Sequence, residues 1–342
     1  MNEPSLLTII VNYRTAPMTI RATEVALRAT EGIKGSLTIV DNDSQDGSHA
    51  RLTGEVTARG WDRDGRVRVL QSGRNGGFGA GVNFAIRAGL PDGGTPDYVY
   101  LLNSDAFPAP DAVRRLLDHL QAHPEAGFAG SYLHGPEGEP HPTAFRFHGV
   151  LSEFERGART GPISRLLERY RVAMPIPDRA GPVDWTAGAS LMIRRRMLDE
   201  TGLFDEGYFL YYEEADLCLR ARRRGWQTHY VPQSRVTHIG SVSTGMKAWD
   251  RVPRYWFDSR LRYFVKSHGI VHAVSATAAL IAGTLLWRAR ALAGRRPHGG
   301  PKRFLRDLIA HAAGSAGRGL TIRRRGGRFD GRAATGEGGE PK

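Results

Sequence analysis

The feature that most constrains this chain is a series of short apolar runs, each stopping abruptly on polar residues. Leu6-Leu7-Thr8-Ile9-Ile10-Val11 stops on Asn12-Tyr13-Arg14, and Ser36-Leu37-Thr38-Ile39-Val40 on Asp41-Asn42-Asp43-Ser44. Val67-Arg68-Val69-Leu70 runs toward Ser72-Gly73-Arg74-Asn75, and Tyr98 to Leu102, after the turn at Pro96-Asp97, stops on Asn103-Ser104-Asp105. Unbroken apolar runs of this length read as strands buried on both faces, the pattern of a parallel sheet. Helical stretches alternate with them, at Ala16 to Thr30, Phe78 to Ala88 and Asp111 to Ala122, the last with Val113, Leu116, Leu117 and Leu120 on one face. Strands alternating with helices predict an α/β fold, its sheet flanked by helices on both sides. Ligands bind such sheets at the carboxyl ends of the strands, so the four polar ends are expected to converge on one crevice.

The 342 residues suffice for one large α/β domain or two lobes around a well-buried core. One cysteine, Cys218, excludes a disulfide framework and a CxxC zinc site within the chain, and DLCLRARRRGW places it on the apolar face of a helix. The net charge of +13 is uneven: from Arg288 to Lys342, 14 Lys or Arg face 4 Asp or Glu. Basicity therefore belongs to the tail, which nucleic acid or an anionic membrane surface would attract. Residues 134–182 are rich in Gly, Pro and Arg and read as irregular, with a short helix near Ile163 to Arg171. Regular structure returns at Val183, and a helix is expected over Glu213 to Arg224 with Gly225 capping it. Ile270 to Trp287 is an apolar stretch of 18 residues, followed by a Gly/Arg-rich tail that reads as partly disordered. Met1 to Ser5 lacks the basic region of a signal peptide, and Leu6 to Val11 is too short for its core, so a cytoplasmic location is expected for the bulk of the protein. There is no internal repeat.

Two nucleotide motifs are missing. There is no GxxxxGK[ST], and Gly76-Gly77-Phe78-Gly79-Ala80-Gly81-Val82-Asn83 fails GxGxxG at Val82. That stretch still leads from a strand end into a helix, where glycines permit close backbone approach and a helix N-terminus favours an anion, or where they serve only tight helix-to-sheet packing. Asn103-Ser104-Asp105 is either a turn or a metal site: a carboxylate approaches a diphosphate through a divalent cation, and oxygen ligands suit Mg²⁺ or Mn²⁺. Phe209 to Leu217 sets Glu213, Glu214 and Asp216 behind an aromatic run. Acidic residues suit a first helical turn, but crowding and apolar neighbours also raise a carboxyl's pKa and make it a better base. His238, in VTHIGSVST, reads as a metal ligand or as a structural histidine.

The ordered set IIVNYRT, VDNDSQDGS, RNGGFGAGVN, LLNSDAFP, DWTAGASLMIRR, GLFDEGYFLYYEEADLCLRARRRGW and VTHIGSVST resembles the family-two inverting glycosyltransferases with a GT-A fold, within them the bacterial rhamnosyltransferase branch. The resemblance covers about residues 5 to 268. It implies that Asp41 reads the pyrimidine base beside Asn12 and Tyr13, and that Arg74, Asn75 and Gly77 line the nucleotide site. Asn103-Ser104-Asp105 matches the DxD motif with Asn in first place, making Asp105 the main metal carboxylate, with His238 completing the metal site. Trp185, Gly188 and Ala189 match the acceptor-side WxxGA segment. Glu213-Glu214 falls where the family has Glu-Asp, so Glu214 is the implied base, with Glu213 the alternative, and Asp216 and Arg220 match the helix that follows.

These correspondences imply an inverting transfer from a nucleoside-diphosphate sugar, with a metal and the helix N-terminus stabilising the leaving diphosphate. The implied donor is dTDP-L-rhamnose, with UDP-galactose or UDP-glucose as alternatives, and the implied acceptor is a lipid-diphosphate-linked saccharide of cell-wall or surface polysaccharide. The chain divides into a nucleotide-sugar half at 1–130, an acceptor and catalytic half at 131–268, and an apolar helix with a basic tail at 269–342. The apolar stretch is expected to lie in or partly enter the cytoplasmic leaflet, with the tail on anionic headgroups; packing on the catalytic domain is the alternative. A sugar-1-phosphate nucleotidyltransferase would need a Gly-rich loop after the first strand, where this chain has Asn12-Tyr13-Arg14-Thr15-Ala16-Pro17. A nucleic-acid-binding protein would use RRRGGR at 323–328, but the core offers no aromatic-basic stacking face, and no specific nucleic-acid partner is expected.

Overall fold

The computed structural model describes residues 3–240, 249–294 and 301–317. In chain order its elements are β1 (Leu6–Asn12), α1 (Ala16–Ala29), β2 (Gly35–Asp41), α2 (Ser48–Ala58), β3 (Val67–Gln71), α3 (Phe78–Ala88), β4 (Tyr98–Asn103), β5 (Ala106–Pro108), α4 (Ala112–Ala122), β6 (Ala126–His134), β7 (Pro140–His141) and β8 (Ala144–Phe145). Then follow α5 (Val150–Ala158), α6 (Gly161–Leu166), β9 (Gly181–Val183), β10 (Trp185–Thr186), β11 (Ser190–Arg194), α7 (Arg195–Thr201), α8 (Glu213–Arg222), β12 (Gln227–His238), α9 (Arg254–His268), α10 (Ile270–Ala293) and α11 (Phe304–Gly317).

The main sheet runs β3-β2-β1-β4-β11-β6-β12-β5. Its first four strands are parallel, as the apolar runs predict. β11 enters antiparallel between β4 and β6, which makes the whole sheet mixed. The period of two divides each strand between two cores. Leu6 and Ile10 of β1 pack with Tyr100 and Leu102 of β4 against α1, α2 and α4, while Leu7 and Ile9 pack with Val99 and Leu101 against α3, α7 and α8. Val113, Leu116, Leu117 and Leu120 of α4 are all buried, each contributing about 1.5–3 kcal/mol. Cys218 is buried in the second core.

Five helices, α2, α5, α7, α9 and α11, are absent from the sequence reading. α2 buries only Ser48, Leu52 and Val56, too weak a stripe to show. α5 lies in the segment read as irregular. It crosses α10 so closely that a Cβ on Gly157 would stand 2.7 Å from the Leu280 carbonyl oxygen, and one on Gly283 2.4 Å from that of Phe154. Glu153 of α5 is buried and accepts from Arg260 Nε at 2.6 Å and from Arg156 Nη2 at 2.9 Å, while Arg260 Nη1 donates to Thr277 Oγ1 at 3.0 Å. One carboxylate thus pins α5, α9 and α10 together, a pairing whose disruption would leave an uncompensated charge in the interior.

α10 reconciles the two expectations for the apolar stretch. It is long and apolar enough to cross a membrane, yet only 28% of its most apolar window is buried. Ala273, Ala276, Leu280 and Gly283 face the protein, and Val271 (82% exposed), Val274, Leu285 and Leu292 (74%) face outward. The tail read as partly disordered is helical where it is described, to Ala293 in α10 and over Phe304–Gly317 in α11; RRRGGR lies outside the described residues, as do Ser241 to Thr244 of VTHIGSVST.

Candidate active site

The polar strand ends do meet. Asn12 Nδ2 donates to Asp41 Oδ1 at 2.8 Å and to Ser44 Oγ at 3.2 Å, Ser44 Oγ donates to Asp41 Oδ1 at 2.5 Å, and the Ser44 N–H reaches Asp41 Oδ2 at 3.3 Å. Thr19 and Thr15 hydroxyls donate to Asn12 Oδ1 at 2.7 and 3.3 Å, and Thr15 also reaches Ser104 Oγ at 3.2 Å. Asn12 and Asp41 are therefore the buried hub that joins β1, β2 and the metal-type triplet; Tyr13 beside them is half-buried, with the Arg14 guanidinium 5.2 Å from its ring centre. Ser44, which the sequence reading did not single out, organises this hub; its place in Asp-Asn-Asp-Ser, a composition given to side-chain-to-backbone turns, was the available signal.

The glycine stretch is built for contact. Gly77 has φ +88°, and a Cβ there would stand 1.8 Å from the Phe209 carbonyl oxygen. Gly81 lies close on Val11 of β1, with a Cβ 3.0 Å from its side chain. Asn75 Oδ1 accepts from the Gly77 N–H and from Asn42 Nδ2, both at 3.1 Å, and the Phe78 N–H donates to Phe209 O at 3.2 Å. The Gly77 and Phe78 N–H groups are thus committed to Asn75 and Phe209, and the glycines let this corner pack tightly on the segment before α8. Arg74 is likewise held, its Nη2 2.9 Å from Glu206 Oε2.

At the end of β4, Asp105 is buried, and its Oδ1 lies 3.2 Å from His238 Nε2, which is 3.4 Å from Asn103 Nδ2. The antiparallel pairing of β12 with β5, His238 opposite Ala106, fixes that meeting. One carboxylate and one imidazole aimed at the same space form an oxygen-nitrogen donor set that Mn²⁺ or Mg²⁺ accepts.

The second group of carboxylates starts α8. Tyr211 and Tyr212 both take left-handed conformations, φ 69° and 70°, at roughly 1–3 kcal/mol each. This sharp corner sets Glu213 and Glu214 in the first turn. Glu214 Oε1 accepts from the Gly188 N–H at 3.2 Å, and a Cβ on residue 188 would stand 2.6 Å from that oxygen. Burial pushes both carboxyls above the ordinary range; the neighbouring Glu214 charge raises Glu213 further, while backbone N–H groups, Gly188's among them, pull Glu214 back down. Glu213 Oε2 is buried without a hydrogen-bond partner, whereas half-buried Glu214 is held by the Gly188 N–H. Ala189 O accepts from the Asn103 N–H at 3.0 Å, so two adjacent residues, Gly188 and Ala189, tie the carboxylate pair to the metal-type triplet. Trp185 stacks on Phe145 at 4.2 Å and donates through Nε1 to Arg146 O. Asp216 is corrected to a positioning role: it is buried, with Arg220 Nε and Lys266 Nζ each 2.8 Å from Oδ2 and the Tyr208 hydroxyl 3.3 Å from Oδ1.

The family model described as "Glycosyltransferase like family 2" matches residues 4–259. The chain is 32% identical over 253 residues to the N-acetylglucosaminyl-diphospho-decaprenol L-rhamnosyltransferase of Mycobacterium tuberculosis, covering 69% of this chain and 76% of that protein. It is 27% identical over 195 residues to the rhamnosyltransferase WbbL of Escherichia coli K12, covering 56% and 68%. In fold it is similar to the mannosyltransferase PcManGT of Pyrobaculum calidifontis, solved with GDP-Man and Mn²⁺, with a TM-score of 0.56 and 16% identity over 94% of this chain and 82% of that one.

Proposed function

The chain belongs to glycosyltransferase family 2, and from that premise we propose that it transfers L-rhamnose from dTDP-L-rhamnose, with inversion, to a hydroxyl of a lipid-diphosphate-linked saccharide. The observation that carries the reading is the carboxylate pair opening α8, with Glu214 held by the Gly188 N–H on the same short segment that abuts Asn103. Glu214 takes the proton from the acceptor hydroxyl; that oxygen forms the new bond to the anomeric carbon from the face opposite the departing nucleoside diphosphate. One base suffices, and no protein nucleophile is needed. Asp105 and His238 would hold a divalent cation, which supplies positive charge to the diphosphate. Tyr13 lies beside the buried Asn12–Asp41 hub that would support the pyrimidine.

The acceptor side leads toward α10. Trp249 lies 5.7 Å from Tyr211 and 6.1 Å from Tyr255 between ring centres, and it also lines a cavity of about 190 Å³ with Arg156, Arg159, Trp256, Trp287 and Arg288. Aromatic and cationic groups running from the carboxylates to an outward-facing apolar helix suit a lipid diphosphate. α10 lies on the membrane surface in this reading, because its other face is already committed to α5 and α9. Vesicle sedimentation tests the placement. The protein should pellet with anionic vesicles, and Val274→Glu with Leu285→Glu should abolish the pelleting that survives high salt, where the basic tail is screened, without unfolding. Alkaline carbonate should release the wild type; retention would mean a spanning helix instead.

The activity is tested by nucleoside diphosphate release from dTDP-rhamnose, UDP-galactose, UDP-glucose and GDP-mannose, each with Mg²⁺ or Mn²⁺ and a lipid extract as acceptor. Release from dTDP-rhamnose alone is expected. Release from another sugar nucleotide would keep the transfer and overturn the donor.

A further inference from the structure

β12 carries a second group of metal-type side chains at its opposite end. His229 is nine residues before His238, about 30 Å along a strand at ~3.3 Å per residue. It faces the last turns of α4, where His119 and His123 stand one helical turn apart with their rings stacked at 4.1 Å between centres. The His229 ring lies 5.1 Å from that of His119 and 5.3 Å from that of His123. One nitrogen from each of the three lies within 4.8 Å of the others.

Their outer contacts settle which nitrogens face inward. His123 Nδ1 is 2.8 Å from the His119 carbonyl oxygen, which only accepts, so Nδ1 bears the proton and Nε2 the lone pair. His229 Nε2 is 2.9 Å from Gln227 Oε1, so that nitrogen donates and Nδ1 is the bare one. His119 Nε2, 2.8 Å from His229 Nδ1, then donates to it. Two of the three rings are therefore held by an oxygen on the far nitrogen, the outer-sphere arrangement that orients metal-binding imidazoles. Nitrogens around a tetrahedral cation with bonds of about 2.0–2.1 Å stand roughly 3.3 Å apart, between the 2.8 Å of the His119–His229 contact and the 4.8 Å limit of the trio.

We propose that His119, His123 and His229 form a binding site for a Zn²⁺-class transition-metal cation, distinct from the carboxylate site at the other end of β12. Three imidazoles select such a cation over Mg²⁺, which takes oxygen ligands. The cation takes the place of the proton between His119 and His229; that proton moves to His119 Nδ1, and the ring binds neutral. Exposed Glu125, whose charge acts on both His119 and His229, or a water takes the fourth position. The bound ion clamps the end of α4 to the start of β12, a structural role at the rim of the sheet.

The test uses tag-free, full-length protein stripped with a chelator and titrated with Co²⁺, followed by visible absorption, and then with Zn²⁺, followed by calorimetry and thermal unfolding. The wild type and an Asp105→Asn, His238→Gln double variant are each expected to take up one tight equivalent, to show the absorption of tetrahedral Co²⁺ and to unfold at a higher temperature with Zn²⁺. His123→Asn, a change at a half-exposed position, should lose all three responses while keeping the wild-type circular dichroism. Gln227→Ala, which removes only the outer contact to His229, should weaken Zn²⁺ about 10–100-fold. The proposal is overturned if His123→Asn retains the tight equivalent, or if the equivalent vanishes in the Asp105 and His238 variant instead.

Discussion

Replacing Glu214 by Gln is expected to lower kcat/KM for sugar transfer by about 10²–10⁴-fold, the ordinary worth of a positioned general base. The amide keeps an oxygen for the Gly188 N–H, so the local hydrogen bond and the fold should survive, and donor affinity should change little. Glu213→Gln is the informative contrast. Its Oε2 is buried without a hydrogen-bond partner and it is Glu214 that holds the Gly188 N–H, so an amide of the same shape at residue 213 should cost less than about tenfold. The pH profile carries a second signature. Because burial raises the Glu214 pKa, the acidic limb of kcat/KM should fall at a higher pH than an ordinary carboxylate would give; the base is lost as pH drops through that raised value. The assignment fails if Glu213→Gln is the more damaging change, or if Glu214→Gln retains the wild-type rate.

Gly77→Ala is expected to be nearly as damaging, for a reason of space. The left-handed backbone at residue 77 costs an alanine roughly 1–2 kcal/mol, and its methyl would overlap the Phe209 carbonyl at 1.8 Å. Only a parting of the two segments relieves that overlap, and it breaks the bond from the Phe78 N–H to Phe209 O. Phe209 lies four residues before Glu213, so the parting moves the carboxylates relative to the donor loop. A displacement of about 1 Å at such a site costs about 10²-fold in rate. Gly73→Ala is the control: its φ is +71° but nothing lies within 4 Å of the added methyl. It should show the conformational cost alone, in denaturant unfolding, with activity within about tenfold of wild type. Equal losses in the two variants would remove the argument.

Much of this was legible before any coordinates. The continuous apolar runs of β1, β2 and β4 announced strands buried on both faces, and α4 declared itself by four leucines and valines on one side. Features that depend on distant partners were not legible. β11 falls where the sequence shows only that regular structure returns after Val183, and nothing local says that it enters antiparallel between β4 and β6. α5 hid in a Gly- and Arg-rich segment because its purpose is close packing and a buried ion pair: Gly157 and Glu153 look like loop residues until Gly283 and Arg260 face them. The motif residues at the strand ends were found by type. Which of them support and which face the open site is a matter of bonding; Asp41 and Asp216 proved to be inward-facing, and Ser44 essential to the first of those networks.

The antiparallel insertion of β11 also bears on how the chain is made. β4 leaves the ribosome with β1 already available on one side, but its other neighbour is encoded about ninety residues later, roughly 5–20 s of synthesis at ordinary rates. During that interval Tyr98-Val99-Tyr100-Leu101-Leu102, which is wholly buried in the finished sheet, presents a bare apolar edge of the kind that recruits other nascent chains. The sheet is complete only when a late segment slots between two early ones. The nascent protein therefore has a defined window of vulnerability, and any fragment ending before Ser190 carries that edge permanently.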